Sequence, residues 1–267
     1  MRGLRPIAEI QYLDYLMFAL QTLSDDLATV SYRSVGKQLA PLIVRTRGHR
    51  LEGMWHAGSP MGMILNSLKG MLVLTPRNMV QAAGMYNTLL SCSDPALIIE
   101  PLNAYRLKEK EPNNIGEFNV PLGHVEYISK GKDITVVSYG STLKLVEKAI
   151  VELLKHDIEI ELIDLQTLIP IDINMDIVKS LEKTNKLLII DEDFPGGASS
   201  HIMKVVLEDH DGFKFLDSKP VTLTAMEHRP PYGSDGDYFS KPSIDDIFES
   251  CYKIMHEYSP KKYPLKF

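Results

Sequence analysis

Short apolar strands alternate with amphipathic helices along most of the chain, and this alternation limits the folds that are open to it. Ile134–Ser138 reads as a mostly apolar strand, and the helix predicted over 142–154 places its apolar residues on one face. Leu187–Ile190 shows no alternation of polar and apolar residues. Such runs are typical of strands covered by helices on both faces of a parallel sheet. The sequence therefore predicts an α/β fold.

Two α/β units are predicted, separated by a polar segment in which the apolar periodicity lapses into charged, proline-containing and glycine-containing sequence. We expect one domain at 1–115, a linker at 116–132 and a second domain at 133–267. An apolar strand follows Met1 almost at once, so we also expect the first domain to be incomplete at its N-terminus.

Two helices of the first unit are predicted from local signals. The apolar spacing over 15–29 indicates one continuous amphipathic helix. Thr75 and Pro76 have the residue types favoured at a helix N-cap and first helical position, so a second helix is expected to begin there.

Composition and charge narrow the possible functions. The net charge is -6, which gives no basic surface for nucleic acid. No apolar run approaches the about 18 residues of a membrane-spanning helix. Cys92 and Cys251 are not spaced as a disulfide framework or a zinc site. We therefore expect a cytoplasmic protein that binds neither nucleic acid nor membrane.

The sequence lacks the glycine-rich dinucleotide and phosphate loops, the His-Glu-x-x-His metal motif and the Gly-x-Ser-x-Gly elbow. The segment 47–60 is more informative, because it holds three glycines, the single Trp, His49 and His56. It follows the carboxyl end of a predicted strand, where ligands bind in open α/β sheets. His56 is a candidate acid or base, although local sequence alone favours a polar surface loop. Asp191–Ser200 favours a tight strand-to-helix turn over an anion site.

Several segments, in a fixed order, resemble one enzyme family. They are Gly3–Tyr15, Tyr32–Ser34, Pro41–Arg45, Trp55–His56 with Ser59–Pro60, Pro95–Pro101 and Asp164–Pro170. With them the chain resembles the β chain, or the β half of a fused chain, of the thiamine-diphosphate-dependent component of 2-oxo acid dehydrogenases. The 2-oxoisovalerate and pyruvate dehydrogenases are of this type. The resemblance implies a partial thiamine-diphosphate pyrimidine-binding domain followed by a transketolase C-terminal-type α/β domain.

The resemblance also implies a shared cofactor. In this family the α part binds Mg²⁺ and the diphosphate of thiamine diphosphate, and the β part holds the aminopyrimidine. The expected partners are an α chain or half, a second β chain and the lipoyl acyltransferase component. The expected activity is oxidative decarboxylation of a 2-oxo acid, followed by reductive acylation of a lipoyl group. The overall resemblance favours a branched-chain 2-oxo acid as substrate. The family's activating glutamate lies upstream of Gly3–Pro6 and Glu9 does not match it, so we expect this chain to be inactive alone.

Individual residues carry implied roles. Tyr12 matches the aromatic position that lies against the aminopyrimidine, and ring stacking would suit it. His56 matches the β-chain active-site histidine, which is associated with substrate positioning and lipoyl acylation, although the residues after it depart from the family pattern. Some relatives bind a structural potassium ion, and the resemblance implies a site for it at matching positions of this chain. These positions are Leu42, Leu89, Leu90, Cys92 and Asp94. Cys92 weakens that prediction, because a thiolate is a poor ligand for a hard cation.

Two other functions remain open. The chain could be a non-catalytic assembly module that uses its C-terminal domain for docking. It could also be a transferase similar to transketolase or 1-deoxyxylulose-5-phosphate synthase, which would need basic residues that bind a sugar phosphate.

Overall fold

Ten strands form two five-stranded sheets in the computed structural model, which describes residues 3–48, 55–233 and 235–265. The strands are β1 (Ile7–Ile10), β2 (Ile43–Gly48), β3 (Leu72–Leu74), β4 (Ala96–Pro101), β5 (Glu126–Ser129), β6 (Ile134–Ser138), β7 (Ile160–Asp164), β8 (Thr167–Ile169), β9 (Leu187–Ile190) and β10 (Val221–Leu223). The α-helices are α1 (Val30–Arg33), α2 (Met61–Ser67), α3 (Met79–Ser91), α4 (Leu143–Leu154), α5 (Asp176–Thr184), α6 (Ala198–Lys204), α7 (Gly236–Ser240) and α8 (Ile244–Tyr258). Within the described ranges no helix combines the length and apolar composition needed to cross a membrane.

The first sheet has the strand order β1-β2-β4-β3-β8, in which β1 to β4 are parallel and β8 is antiparallel. Ile7 lies opposite Ile43, and Ile43 in turn lies opposite Ala96. The edge strand β8 comes from the second half of the chain, so that half completes the first sheet. The α/β class predicted from the sequence is confirmed.

The second sheet has the order β10-β9-β6-β7-β5, and only β5 in it is antiparallel. Strands β6, β7 and β9 are buried along their whole length, as the wholly apolar sequence of β9 predicts for that strand. Strand β5 lies within 116–132, the segment predicted as a linker. The segment is polar because β5 is an edge strand with one partner, β7, and stays half exposed.

The largest cluster of buried apolar side chains joins the two sheets. It includes Leu16 and Met61 from the first half and Val137, Ile163 and Ile202 from the second. Helices α2 and α6 pack against each other at this junction. A second cluster lies beneath α4 and α8 on the other face of the second sheet. The two halves are therefore held together by apolar burial as well as by strand β8.

The single helix predicted over 15–29 is wrong. The chain forms a 3₁₀ helix at Leu13–Phe18 and a π-helical turn at Thr22–Leu27 before the short α1. Leu13 and Leu16 are both buried, and their three-residue spacing suits the 3₁₀ period better than the α period.

The predicted start of α3 is also wrong by three residues. The helix begins at Met79, and its N-cap is Asn78, whose side-chain oxygen accepts a hydrogen bond from the Gln81 amide at 2.8 Å. Asn is a more favourable N-cap residue than Thr. The helix therefore begins after Asn78, whereas Thr75 is buried at the end of β3.

A buried polar network fixes the start of α3 to the second sheet. Arg77 donates to Asp164 at 2.9 Å and to Glu126 at 2.6 Å, and Gln81 donates to Asp164 at 3.0 Å. Asp164 has no exposed side-chain surface. Burial raises the pKa of its carboxyl, and the hydrogen bonds from Gln81 and Arg77 oppose that rise. The network gives the interface between the two halves a defined orientation.

Candidate functional site

His56 lies among aromatic and acidic side chains at the carboxyl edge of the first sheet. Strands β1 and β2 are parallel, so the segments that follow them emerge on the same side. Tyr12, Asp14 and Tyr15 follow β1, and His56 follows β2. His56 has a φ of +58°, an uncommon backbone conformation for a non-glycine residue that often marks a functional site. His49, the other histidine of this loop, lies outside the described residues.

Asp14 holds the imidazole of His56. Its two carboxylate oxygens lie 3.2 and 3.1 Å from His56 Nδ1. A proton on Nδ1 satisfies this contact, which leaves Nε2 as the acceptor of a neutral ring. Nε2 lies 3.5 Å from the Tyr15 hydroxyl. The sequence gave no reason to single out Asp14, because 42 residues separate it from His56.

The Tyr12 and Tyr15 rings enclose the imidazole. The Tyr12 ring stacks on His56 with centroids 4.1 Å apart and planes within 5°, and the Tyr15 ring meets His56 edge-on at 4.9 Å. The Arg47 guanidinium lies 5.2 Å from the Tyr12 centroid, within the range of a cation–π contact. Tyr12, predicted to stack on a cofactor ring, thus already stacks on His56. Tyr15 is 41% exposed and offers a freer aromatic surface.

A cleft of about 240 Å³ opens beside this cluster, between the two halves of the chain. Its lining residues are Asp14, Met17, Gly58, Ser59, Pro60, Gly62, Met63, Asp193, Phe194 and Arg229. The Arg229 guanidinium occupies the space that a Cβ at residue 58 would need, so a side chain there would displace the guanidinium. The cleft combines apolar methionines with one guanidinium and two carboxyl groups.

Asp193 closes the cleft from the second half of the chain. It is 5% exposed and accepts hydrogen bonds from the Gly62 amide at 2.8 Å and the Phe194 amide at 2.9 Å. Burial, together with the nearby charge of Asp191, raises the pKa of Asp193 to about 7. Asp191 accepts from the Ser199 amide at 2.8 Å, so 191–200 forms the tight turn that its sequence favours. The raised pKa of Asp193 could not be foreseen from sequence.

Glu9 is engaged by two arginines of β2, since Arg47 lies 4.0 Å from its carboxylate and Arg45 lies closer. Its carboxylate receives a hydrogen bond from Arg45 at 2.7 Å, and Arg45 also binds Glu100. Burial disfavours the charged form of Glu100, but hydrogen bonds from Arg45, Tyr105 and Tyr86 outweigh it and lower the pKa. Glu9 thus serves an ion-pair network.

The positions predicted to hold potassium have other partners. The Arg5 guanidinium donates to the carbonyl oxygens of Leu89, at 3.1 Å, and of Cys92. The Leu42 carbonyl accepts from the Ala96 amide at 3.0 Å. Leu90 is 48% exposed, and the Asp94 carboxylate accepts from the Cys92 thiol at 3.9 Å. A cation beside these carbonyls would meet the charge of Arg5, so the residues as arranged do not fit a potassium ion.

Thiamine diphosphate can be tested against the same geometry. The exposed Tyr15 ring and the apolar side chains of Met17 and Phe18 provide a surface on which an aminopyrimidine could pack. Among the residues that the structure describes, no group of three or more His, Cys, Asp or Glu side chains could hold a metal ion. The side chains present therefore fit the pyrimidine portion of the cofactor.

Comparison with protein families places residues 123–241 in the family described as "Transketolase, C-terminal domain". In sequence, the chain is 29% identical to the pyruvate dehydrogenase E1 component subunit beta of Acholeplasma laidlawii, over 92% of this chain and 74% of that protein. It is 30% identical to the mitochondrial 2-oxoisovalerate dehydrogenase subunit beta of Chaetomium thermophilum, over 95% of this chain and 54% of that protein. The chain thus spans only about half the length of this second relative.

A third relative is the subunit beta of acetoin:2,6-dichlorophenolindophenol oxidoreductase from Bacillus subtilis, at 29% identity over 96% of this chain and 74% of that protein. Among solved structures, a chain described as "Split gene transketolase, inactive beta4 tetramer" matches with a TM-score of 0.75 and 16% identity. The match covers 95% of this chain and 77% of that one. At that identity the match shows the fold alone.

The predicted C-terminal domain type is confirmed by the family match, and the relatives extend the similarity across nearly the whole chain. The domain boundaries and the roles of Tyr12 and His56 stay predictions. Residues 123–241 match the family model of the transketolase C-terminal domain, and the chain as a whole is similar to the β subunits of pyruvate and 2-oxoisovalerate dehydrogenases.

Proposed function

We propose that this chain is the β part of a 2-oxo acid dehydrogenase that decarboxylates a 2-oxo acid and transfers the acyl group to a lipoyl disulfide. The observation that carries the proposal is the His56 imidazole, held by Asp14 at the edge of a cleft between the two halves of the chain. The names of the relatives, each a subunit beta, support it.

His56 would act on substrate or lipoyl atoms through Nε2. Asp14 fixes Nδ1 and so orients the ring, which is the arrangement that a general acid or base needs. The stacked Tyr12 ring adds a second constraint on the imidazole plane. With the ring fixed in this way, Nε2 can accept a proton from a reacting group or return it.

Thiamine diphosphate, when bound, supplies the carbon nucleophile for decarboxylation. In our proposal Tyr15 packs against the aminopyrimidine of the cofactor, while Tyr12 stacks on His56. An α chain or half supplies the Mg²⁺ and diphosphate sites. Phe18 is 92% exposed and Met17 56% exposed. An apolar surface of this kind beside the site suits a protein partner. A second β chain and a lipoyl acyltransferase component complete the proposed assembly.

We propose a branched-chain 2-oxo acid as substrate. Met17 and Met63 line the cleft, and flexible thioether side chains can pack around a branched aliphatic group. We also propose that the protein works in the cytoplasm, since Cys92 and Cys251 are free thiols that need no oxidising compartment.

The test is reconstitution with the α subunit of the same organism, thiamine diphosphate and Mg²⁺. We expect decarboxylation of 2-oxoisovalerate and acylation of a lipoyl domain by the mixture, and neither by this chain alone. Faster turnover of pyruvate than of 2-oxoisovalerate would refute the substrate assignment. Decarboxylation by the isolated chain would refute the need for a partner, and an unchanged acylation rate in His56→Ala would remove the assigned role of His56.

A further inference from the structure

A positively charged side chain of this chain lies where the resemblance implies a potassium ion. Arg5 reaches across 84 residues of sequence to donate to the Leu89 carbonyl at 3.1 Å, and the same nitrogen donates to the Cys92 carbonyl. Arg5 is partly buried, whereas its sequence neighbours Gly3, Leu4 and residues 6–9 are exposed. Arg5 is therefore drawn into a specific contact rather than lying free on the surface.

The chemistry of a helix end explains why a cation belongs there. Helix α3 ends at Ser91, and the last four carbonyls of an α-helix have no partner within the helix. The aligned peptide dipoles add partial negative charge at the same end. Leu89 and Cys92 belong to this last turn and its cap. The Leu89 carbonyl also accepts a hydrogen bond from the Cys92 amide at 3.1 Å, so Arg5 uses its second lone pair. A cation that contacts the carbonyl oxygens of Leu89 and Cys92 gives these oxygens a partner and also offsets the partial negative charge of the helix end.

We infer that the Arg5 guanidinium replaces potassium at the C-terminal end of α3, so that this chain needs no monovalent cation there. A guanidinium stays charged at all accessible pH values and carries several N–H donors. Potassium would need the same carbonyl oxygens in place of its hydration shell. The segment before β1 would then be tied to α3 by a covalently attached cation, independently of the ion content of the solvent.

The deciding measurement is the thermal unfolding midpoint of the unmodified chain at equal ionic strength in potassium, lithium and choline chloride. We expect the same midpoint in all three salts. A midpoint that rises only in potassium would overturn the inference, because it would show a site for the ion in spite of Arg5. This comparison uses no variant and does not depend on the proposed enzymatic function.

Substitutions test whether the charge of Arg5 is what stabilises the helix end. Arg5→Met keeps an apolar stem and removes the charge, and we expect it to lower the midpoint by about 2–4 °C. Arg5→Lys should lose less, because it keeps a positive charge. Arg33→Met is the matched control, since Arg33 is exposed on α1, and it should leave the midpoint unchanged. Equal losses in Arg5→Lys and Arg5→Met, or no loss in either, would contradict the inference.

Discussion

Asp14→Asn tests whether the carboxylate positions His56 for reaction. The variant keeps the shape of the side chain but replaces a charged acceptor with a neutral one. Hydrogen bonds to charged groups contribute about 1.5–3 kcal/mol, which corresponds to about a ten- to a hundredfold change in rate. The Asp14 and His56 side chains are 23% and 27% exposed. Solvent therefore weakens the bond, and we expect the lower end of this range.

The assay is the rate of lipoyl-domain acylation by the chain reconstituted with its α subunit. Asp14→Asn should lower kcat about tenfold while the thermal midpoint stays close to that of the unmodified chain. Adding Asp14→Asn to His56→Ala should cost nothing further, because the carboxylate acts through the imidazole. Asp26→Asn is the control, since Asp26 is exposed on the same segment. A wild-type rate in Asp14→Asn, alongside a loss in His56→Ala, would refute the positioning role.

Three further predictions concern the cleft and the polar network. The carboxyl of Asp193 has a pKa of about 7 in the folded state and its ordinary pKa in the unfolded chain. Between about pH 4 and about pH 7 the folded state therefore binds this proton more tightly, and the free energy of unfolding should fall as pH rises, by at most about 1.4 kcal/mol per pH unit. Urea titrations should show that slope reduced in Asp193→Asn, and an identical slope would contradict the assignment. Arg77→Met leaves the buried Asp164 charge without its cation and should destabilise the fold by about 3–5 kcal/mol; unchanged urea unfolding would refute this. Gly58→Ala should displace Arg229 and change the KM for the 2-oxo acid with little change in the unfolding midpoint; an unchanged KM would show that Arg229 does not meet the substrate.

The second half of the fold was more predictable than the first. Strands β6 and β9 are buried along their whole length, so their mostly apolar runs carry a strong local signal. Strand β8 is only three residues long and is held by its antiparallel partner β3, so its existence depends on tertiary contact. The turns at Leu13–Phe18 and Thr22–Leu27 were missed because buried leucines in that stretch also satisfy an α-helical spacing.

The candidate site was predictable only in part. His56 and Tyr12 could be matched to a family pattern, and the structure stacks them on one another. Asp14 and Arg5 carry no local signal, because their partners are 42 and at least 84 residues away in sequence. Asp193 stands in an acidic turn whose sequence fits a solvated surface equally well. Its burial follows from the packing of α2 against α6, which no local pattern encodes.

The geometry of the cleft depends on how the two halves of the chain are oriented, because each half supplies part of its lining. Apolar burial joins the halves strongly, but it is non-directional and specifies their relative orientation less sharply than polar contacts do. The Arg77–Asp164 pair and the hydrogen bond from Gly62 to Asp193 are directional and cross the same interface. Burying these carboxyl groups costs desolvation energy that offsets much of the attraction, so the intact contacts add little net stability even though removing one partner is costly. We infer that they mainly set the orientation of the two halves. A substitution that loosens either contact should therefore impair reaction at His56 under conditions in which the chain is still folded.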